Sequence, residues 1–156
     1  MKLFLKRTEE GGFCFLDESA RELYNVKIET SGSKQKITLA NNEELIFSNV
    51  THRLIPVDNF TVRCNGKIYI LLPQNTDCFS FRIYGSPYAF CGNMISGSFS
   101  MFDVDKTPVV TMKKCWARIG DGYELHLYSD KNTALVLSVC VCAAMYIGAT
   151  PGAVPT

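Results

Sequence analysis

The chain has 156 residues, of which 47% are hydrophobic and 20% charged, and its formal net charge is +1. This composition is typical of a globular domain with a sizeable core, and the length predicts a single domain. Acidic and basic residues are spread along the chain without a long run of one sign, so charge gives no indication of a nucleic-acid partner.

The cysteines argue against a metal centre. They are odd in number, scattered in spacing and never arranged as C-x-x-C, so no metal or other cofactor is predicted. Reduced thiols are typical of the cytosol, and the N-terminal MKLFLKRTEE has too few apolar residues for a signal peptide, so we expect a cytoplasmic protein. The seven cysteines are Cys14, Cys64, Cys78, Cys91, Cys115, Cys140 and Cys142.

Alternating strands and turn signals fill the chain as far as residue 128. Turns recur about every eight to twelve residues, which is typical of an all-β sandwich or barrel. Asn65-Gly66 between two alternating runs predicts a type I′ hairpin. We predict about eleven or twelve strands, drawn from the segments 3–5, 13–16, 22–29, 36–39, 44–50 and 51–55 (as one strand or two), 60–64, 67–72, 78–84, 88–91, 98–102, 108–118 and 123–128.

The segment ALVLSVCVCAAMYI, residues 134–147, is the least polar part of the chain. A membrane helix needs about 20 apolar residues, which this segment does not supply, so no transmembrane segment is predicted. A strand is a second alternative, but Ala143, Ala144 and Met145 are good helix formers. We therefore predict a buried helix over about 133–147, in a domain of residues 1–149 followed by a flexible tail at 150–156.

This helix has no polar face and must be enclosed on all sides. Its length of about 21 Å is similar to the height of a barrel with tilted strands. The sequence thus predicts a mainly β fold, a closed antiparallel barrel of about 12 strands around one hydrophobic C-terminal helix. Small side chains on the helix would let the strands pack closely and would leave little room for a ligand: Ala134, Ser138, Cys140, Cys142, Ala143 and Ala144.

This pattern resembles the Tubby C-terminal-like superfamily, which includes tubby proteins, phospholipid scramblases, LURP-one-related proteins and small bacterial members. The most specific part is Ser98–Cys142, with a strand ending in an aromatic residue and Asp, a strand reaching Lys, a strand beginning with Tyr, and the hydrophobic helix. FCFLDESARELYNVKIE and QKITLANNEELIFSNV resemble earlier strand–turn–strand units. Many relatives carry an acid within or after the helix, whereas this chain continues Cys-Ala-Ala-Met.

The resemblance implies the barrel fold but little about function. Tubby domains bind phosphoinositide headgroups through surface Lys and Arg, scramblases are tied to lipid movement, and most LURP-one-related proteins have no assigned activity. No motif places the tubby headgroup-binding residues on this sequence, so the ligand-binding residues are left unknown.

Two histidines are the candidates for a general base. We expect His126 to face solvent, opposite Leu125 and Leu127, and His52 to be exposed at a turn or strand end next to Arg53. Cys140 and Cys142 in an apolar helix would be unreactive. No catalytic residue is predicted, and an enzyme ranks third among the functions considered.

Lys114, Trp116 and Arg118 share a strand face opposite Lys113 and could lie at a membrane interface, although a tryptophan packed by its neighbours is the simpler alternative. The leading hypothesis is a non-enzymatic binding or scaffolding module with an unknown protein partner. The alternative is a peripheral membrane protein that binds anionic phospholipid or phosphoinositide headgroups.

We predict that Val139→Asp prevents soluble folding, because it places a charge without a partner at the centre of the barrel. Expression and urea unfolding followed by circular dichroism check this. A soluble Val139→Asp protein that unfolds cooperatively would count against the buried helix.

Overall fold

The computed structural model describes residues 1–41, 46–54, 58–75, 78–115 and 122–149, which form twelve strands and one helix. The strands are β1 Lys2–Arg7, β2 Phe13–Leu16, β3 Glu22–Ser31, β4 Lys34–Asn41, β5 Ile46–Arg53, β6 Asn59–Cys64, β7 Lys67–Asn75, β8 Phe79–Tyr84, β9 Ala89–Asn93, β10 Ser98–Phe102, β11 Pro108–Cys115 and β12 Gly122–Leu127. The helix is α1 Thr133–Ala149.

The strands form one closed antiparallel barrel in which each strand pairs with its neighbours in sequence. The barrel closes where β1 pairs with β12, with Leu3 opposite Leu125 and Leu5 opposite Tyr123. All four of these side chains are buried. The predicted mainly β fold, a closed antiparallel barrel with one C-terminal helix, is confirmed.

The β6–β7 hairpin follows the expectation from its sequence. Asn65 and Gly66 have φ angles of 52° and 72°, which is the pair of positive values that a type I′ turn requires. The turn sets Cys64 opposite Lys67 and therefore fixes which side chains of β6 and β7 face inward.

Most strands begin or end one to three residues from their predicted bounds, and for β5 and β7 the pairing gives the reason. Residues 46–53 form one strand rather than two, because pairing with β4 continues across the predicted break. Strand β7 extends past the predicted end at Leu72 and includes Pro73. Pairing with β6 ends at Leu71, so the missing N–H of Pro73 removes no bond on that side. The predicted end of β11 at 116–118 and the tail at 150–156 lie outside the described residues.

Strands surround α1 on every side. The nine residues 135–143 are each only 0–1% exposed, and nine residues make about two and a half turns, so no face of the helix reaches solvent. The helix extends two residues beyond the predicted end, from Thr133 to Ala149. Within the described part of the chain, no helix is long and apolar enough to cross a bilayer.

Residues outside the helix contact both of its ends. At the start, the Asn132 carbonyl accepts the bond from the Val136 N–H (2.9 Å), and the Asn132 side chain donates to the Tyr88 hydroxyl (2.8 Å). At the end, the Arg7 guanidinium of β1 lies beside Gly148 and over the Phe13 ring (5.3 Å to the centroid). The last turn has no basic residue of its own, so Arg7 supplies the positive charge that favours a helix C-terminus.

A pair of buried hydroxyls ties α1 to the barrel wall. Ser138 Oγ donates to the Ala134 carbonyl (2.6 Å), so its single proton is used within the helix. The contact between Ser48 Oγ and Ser138 Oγ, also 2.6 Å, is therefore donated by Ser48 of β5. Because both serines are at most 1% exposed, this bond fixes the rotation of an otherwise apolar helix against β5.

We predict that Ser138→Ala costs more stability than Ser48→Ala. Removing Ser138 leaves the buried Ser48 O–H without an acceptor, at a cost of about 1–3 kcal/mol, whereas removing Ser48 leaves the Ser138 proton on its carbonyl and costs about 1 kcal/mol. Urea unfolding of both single variants and the double variant checks this.

The double variant should be no less stable than Ser138→Ala, since removing both hydroxyls removes the unpaired donor. Equal losses from both single variants that add in the double variant would contradict this arrangement.

Candidate functional site

Strands β4 to β8 carry six exposed cationic side chains on their outer faces. Residues 34–84 also contain four acidic residues, Glu43, Glu44, Asp58 and Asp77, of which only Asp58 is among the described residues. We call this surface the basic wall. Its cations are Lys34, Lys36, Arg53, Arg63, Lys67 and Arg82.

Two open depressions on the basic wall meet to form one trough. The first is lined by Lys34, Lys36 and Thr51, among others, and the second by Ile46, Lys67 and Ile68. Both are lined by Asn49 and Arg63, which face each other across the β5–β6 pair. The trough therefore runs from β4 to β7, with a cationic end at Lys34 and Lys36, Arg63 where the depressions meet, and an apolar end at Ile46 and Ile68 that also carries Lys67.

Exposed apolar side chains lie beside these cations. Ile46 is 60% exposed and Ile68 is 58% exposed. Further along the same wall, Ile70 stands opposite Tyr84, and both are more than two-fifths exposed. Branched and aromatic side chains left in water next to arginines are typical of a contact surface.

The basic wall is not predicted from the sequence, because its members are far apart in the chain. Lys36 and Arg63 line the same depression only through the registers of β4 with β5 and of β5 with β6. Lys34 and Lys36, two apart on a strand and therefore on one face, are the local signal that was available.

The structure corrects the prediction for His52. It was expected to be exposed, but it is 2% exposed and stacks on Phe60, with ring centroids 3.9 Å apart. Ser48, Val50 and His52 occupy every second position of β5, and their side chains face the interior of the barrel. The prediction failed because it allowed a strand break after Val50, where this alternation continues.

Both ring nitrogens of His52 have partners. Nε2 donates to the Asp58 carboxylate, and Nδ1 lies 2.9 Å from Oε1 of Gln35. A general base needs a free ring nitrogen next to a nucleophile. The ring borders a cleft at one barrel mouth, together with Arg7 and Met145. This arrangement favours a structural role for His52 at the rim of the barrel.

The other predicted candidates are far from the trough. His126 is exposed as expected, on the face of β12 that points away from the buried Leu125 and Leu127. Its ring stacks on that of Tyr128. Lys113 is exposed opposite Glu124, whereas Lys114 lies beside Tyr123, with its ammonium 5.9 Å from the ring centroid. The two lysines thus occupy opposite faces, as predicted. Trp116 and Arg118 lie outside the described residues.

Cys140 and Cys142 are fully buried in α1. Burial raises the pKa of Cys140 to about 12, and burial followed by the neighbouring Cys140 raises the pKa of Cys142 well above its usual range. Both thiols are therefore protonated at neutral pH and serve as small apolar side chains, as predicted.

Comparison with known proteins supports the fold alone. No family model and no curated protein matches the sequence. The fold is similar to that of a protein from Arabidopsis thaliana solved by X-ray crystallography, with a TM-score of 0.65 and 15% sequence identity over 94% of this chain and 91% of that one. The similarity therefore extends over nearly the whole of both chains.

We predict that stability falls as pH rises from about 8.5, the pKa of an unfolded thiol, towards about 12. When folding raises the pKa of a group, its contribution to the free energy of unfolding is complete below the pKa that the group has in the unfolded chain. That contribution is lost as the pH rises from the unfolded pKa to the folded pKa. Over this range, each of the two thiols should lower the free energy of unfolding by about 1.4 kcal/mol per pH unit. Urea unfolding between pH 8 and about 10.5 measures this slope.

The Cys140→Ala/Cys142→Ala double variant is the matched control, because lysines and tyrosines titrate alike in both proteins. Its stability should fall less steeply with pH than that of the unaltered chain. Parallel curves would show that these thiols are not buried as the structure places them.

Proposed function

We propose that this chain is a LURP-one-related member of the Tubby C-terminal-like superfamily and acts as a non-enzymatic binding or scaffolding module. The arrangement of twelve strands around a hydrophobic C-terminal helix supports the family assignment. The seven free cysteines favour a cytoplasmic location, since thiols persist in reducing compartments.

The basic wall is the observation that carries the binding function. It combines cations with exposed isoleucines, while side chains of the strands and α1 fill the barrel interior. Binding in this account takes place on the outside of the barrel, and the partner is acidic because the wall is basic.

A capture experiment tests this proposal. The full chain and two charge-reversed forms are immobilised and exposed to a lysate of the source cells. The first form is Lys36→Glu/Arg63→Glu on the basic wall, and the second is the control Lys113→Glu on β11. We expect the unaltered chain and the control to retain the same partner proteins from the lysate. The wall variant should lose them. Identical recovery by all three forms would remove the basic wall as the binding face.

A second candidate is peripheral binding to anionic membranes, and the cytoplasmic protein would then be found partly at a membrane surface. The neighbouring Ile70, Tyr84 and Arg82 favour it, because amphipathic rings and long cationic side chains are stabilised where headgroups meet acyl chains.

Liposome co-sedimentation at low salt tests the second candidate. Vesicles of phosphatidylcholine alone are compared with vesicles that also contain phosphatidylserine or a phosphoinositide. Binding to the anionic vesicles should weaken with added salt and in Lys36→Glu/Arg63→Glu, since charge on the wall is the attraction. Absence of binding at low salt would eliminate this candidate.

A further inference from the structure

We infer that the trough on the basic wall binds an extended acidic segment of another protein. The carboxylates of the segment lie by Lys34 and Lys36 at the cationic end, within reach of Arg63 where the two depressions meet, and a branched apolar side chain lies between Ile46 and Ile68. The inference rests on the proposed function, because it names the class of partner for the same wall.

The charge pattern of the trough matches such a segment. Lys34 and Lys36 are two apart on β4 and therefore point the same way, and Arg63 reaches the same depression from β6. All three side chains are exposed. Arginine suits a carboxylate because its planar guanidinium can donate two parallel hydrogen bonds.

The dimensions of the trough set the spacing within the segment. Lys36 on β4 is in register with Ile70 of β7 through Thr51 and Thr61, so Ile68 lies three inter-strand steps across and two residues along from Lys36, a distance of about 16 Å. An extended chain rises about 3.3 Å per residue. About four residues therefore separate the acidic group from the apolar side chain.

Neutral polar groups occupy the middle of the trough. Asn49 is exposed and Thr51 half-buried, both on the outward side of β5. The side-chain amide and the hydroxyl can donate to and accept from main-chain groups. An extended segment carries N–H and C=O groups that lose water on binding and need such partners.

A recessed site of this kind favours a peptide chain over a bilayer. A flat membrane contacts the side chains that protrude from a convex wall, whereas a chain can enter the depression. Glu29 also borders the cationic end, opposite Lys36 in the β3–β4 register. The Glu29 carboxylate repels the many negative charges of an anionic membrane more strongly than it repels the one or two carboxylates of a peptide.

Fluorescence polarisation with a defined synthetic peptide tests the inference. The labelled probe has two adjacent aspartates, a Ser-Gly-Thr-Gly spacer and a Leu-Val pair. Control probes replace the aspartates with asparagines or shorten the spacer to one residue. The full chain should bind the first probe at least about tenfold more tightly than either control, and added salt should weaken that binding.

Matched variants locate the site. Arg63→Glu and Ile68→Ser should each weaken binding by about tenfold or more, because the first reverses a charge where the two depressions meet and the second removes an apolar contact. Lys113→Glu and Ile95→Ser make comparable changes on exposed residues away from the wall and should leave binding unchanged. Lys36→Glu repeats the charge reversal, and thermal unfolding establishes that each variant is folded.

The outcomes separate this inference from the proposed function. Binding that depends on both Arg63 and Ile68 supports the acidic segment. Binding that is insensitive to these variants would overturn it. If the peptide does not bind, while lysate partners or anionic vesicles still require Lys36 and Arg63, the inference is wrong and the wall remains the binding face.

Discussion

The helix Thr133–Ala149 has no polar face, and the closed barrel has an interior that must be filled. Each depends on the other. Without the strands, the helix would expose apolar surface on every side, and without the helix, the barrel would enclose a cavity that close packing does not allow. Closure of β1 onto β12 also removes the free strand edges that an open sheet would present to other chains.

The filled interior determines where function can reside. Side chains from the strands pack against a helix whose residues 135–143 are all but inaccessible to solvent. The only polar link that we identify between helix and wall at that depth, among the described residues, is the Ser48–Ser138 pair. In the proposed function, recognition therefore takes place on the outside of the barrel, where side chains facing away from the core can vary without disturbing it.

Local signals in the sequence predict the strands and the helix, but they do not predict which side chains come together on the outer surface. The Asn65-Gly66 turn, the alternation along the strands and the apolar run at 134–147 each act over a few residues, so the barrel and its helix were predictable. The predicted end of β7 at Leu72 is too early, because no local pattern shows that pairing with β6 ends at Leu71 and leaves room for Pro73 in the strand.

The basic wall and the position of His52 depend on register, which links distant residues. Lys36 and Arg63 line one depression only when β4, β5 and β6 are aligned, and His52 is buried only because β5 continues without a break. Asp58 and Gln35 likewise complete the surroundings of His52 from other parts of the chain. These features are consequences of the fold and are not visible in any short stretch of sequence.

Native-state hydrogen exchange of the amides at 135–143 tests the enclosure of the helix most directly. If the barrel must open for water to reach these amides, their exchange should require the full free energy of unfolding and should show its dependence on denaturant. Exchange of these amides through small, denaturant-independent openings, while the strand amides remain protected, would contradict the enclosed helix on which this account depends.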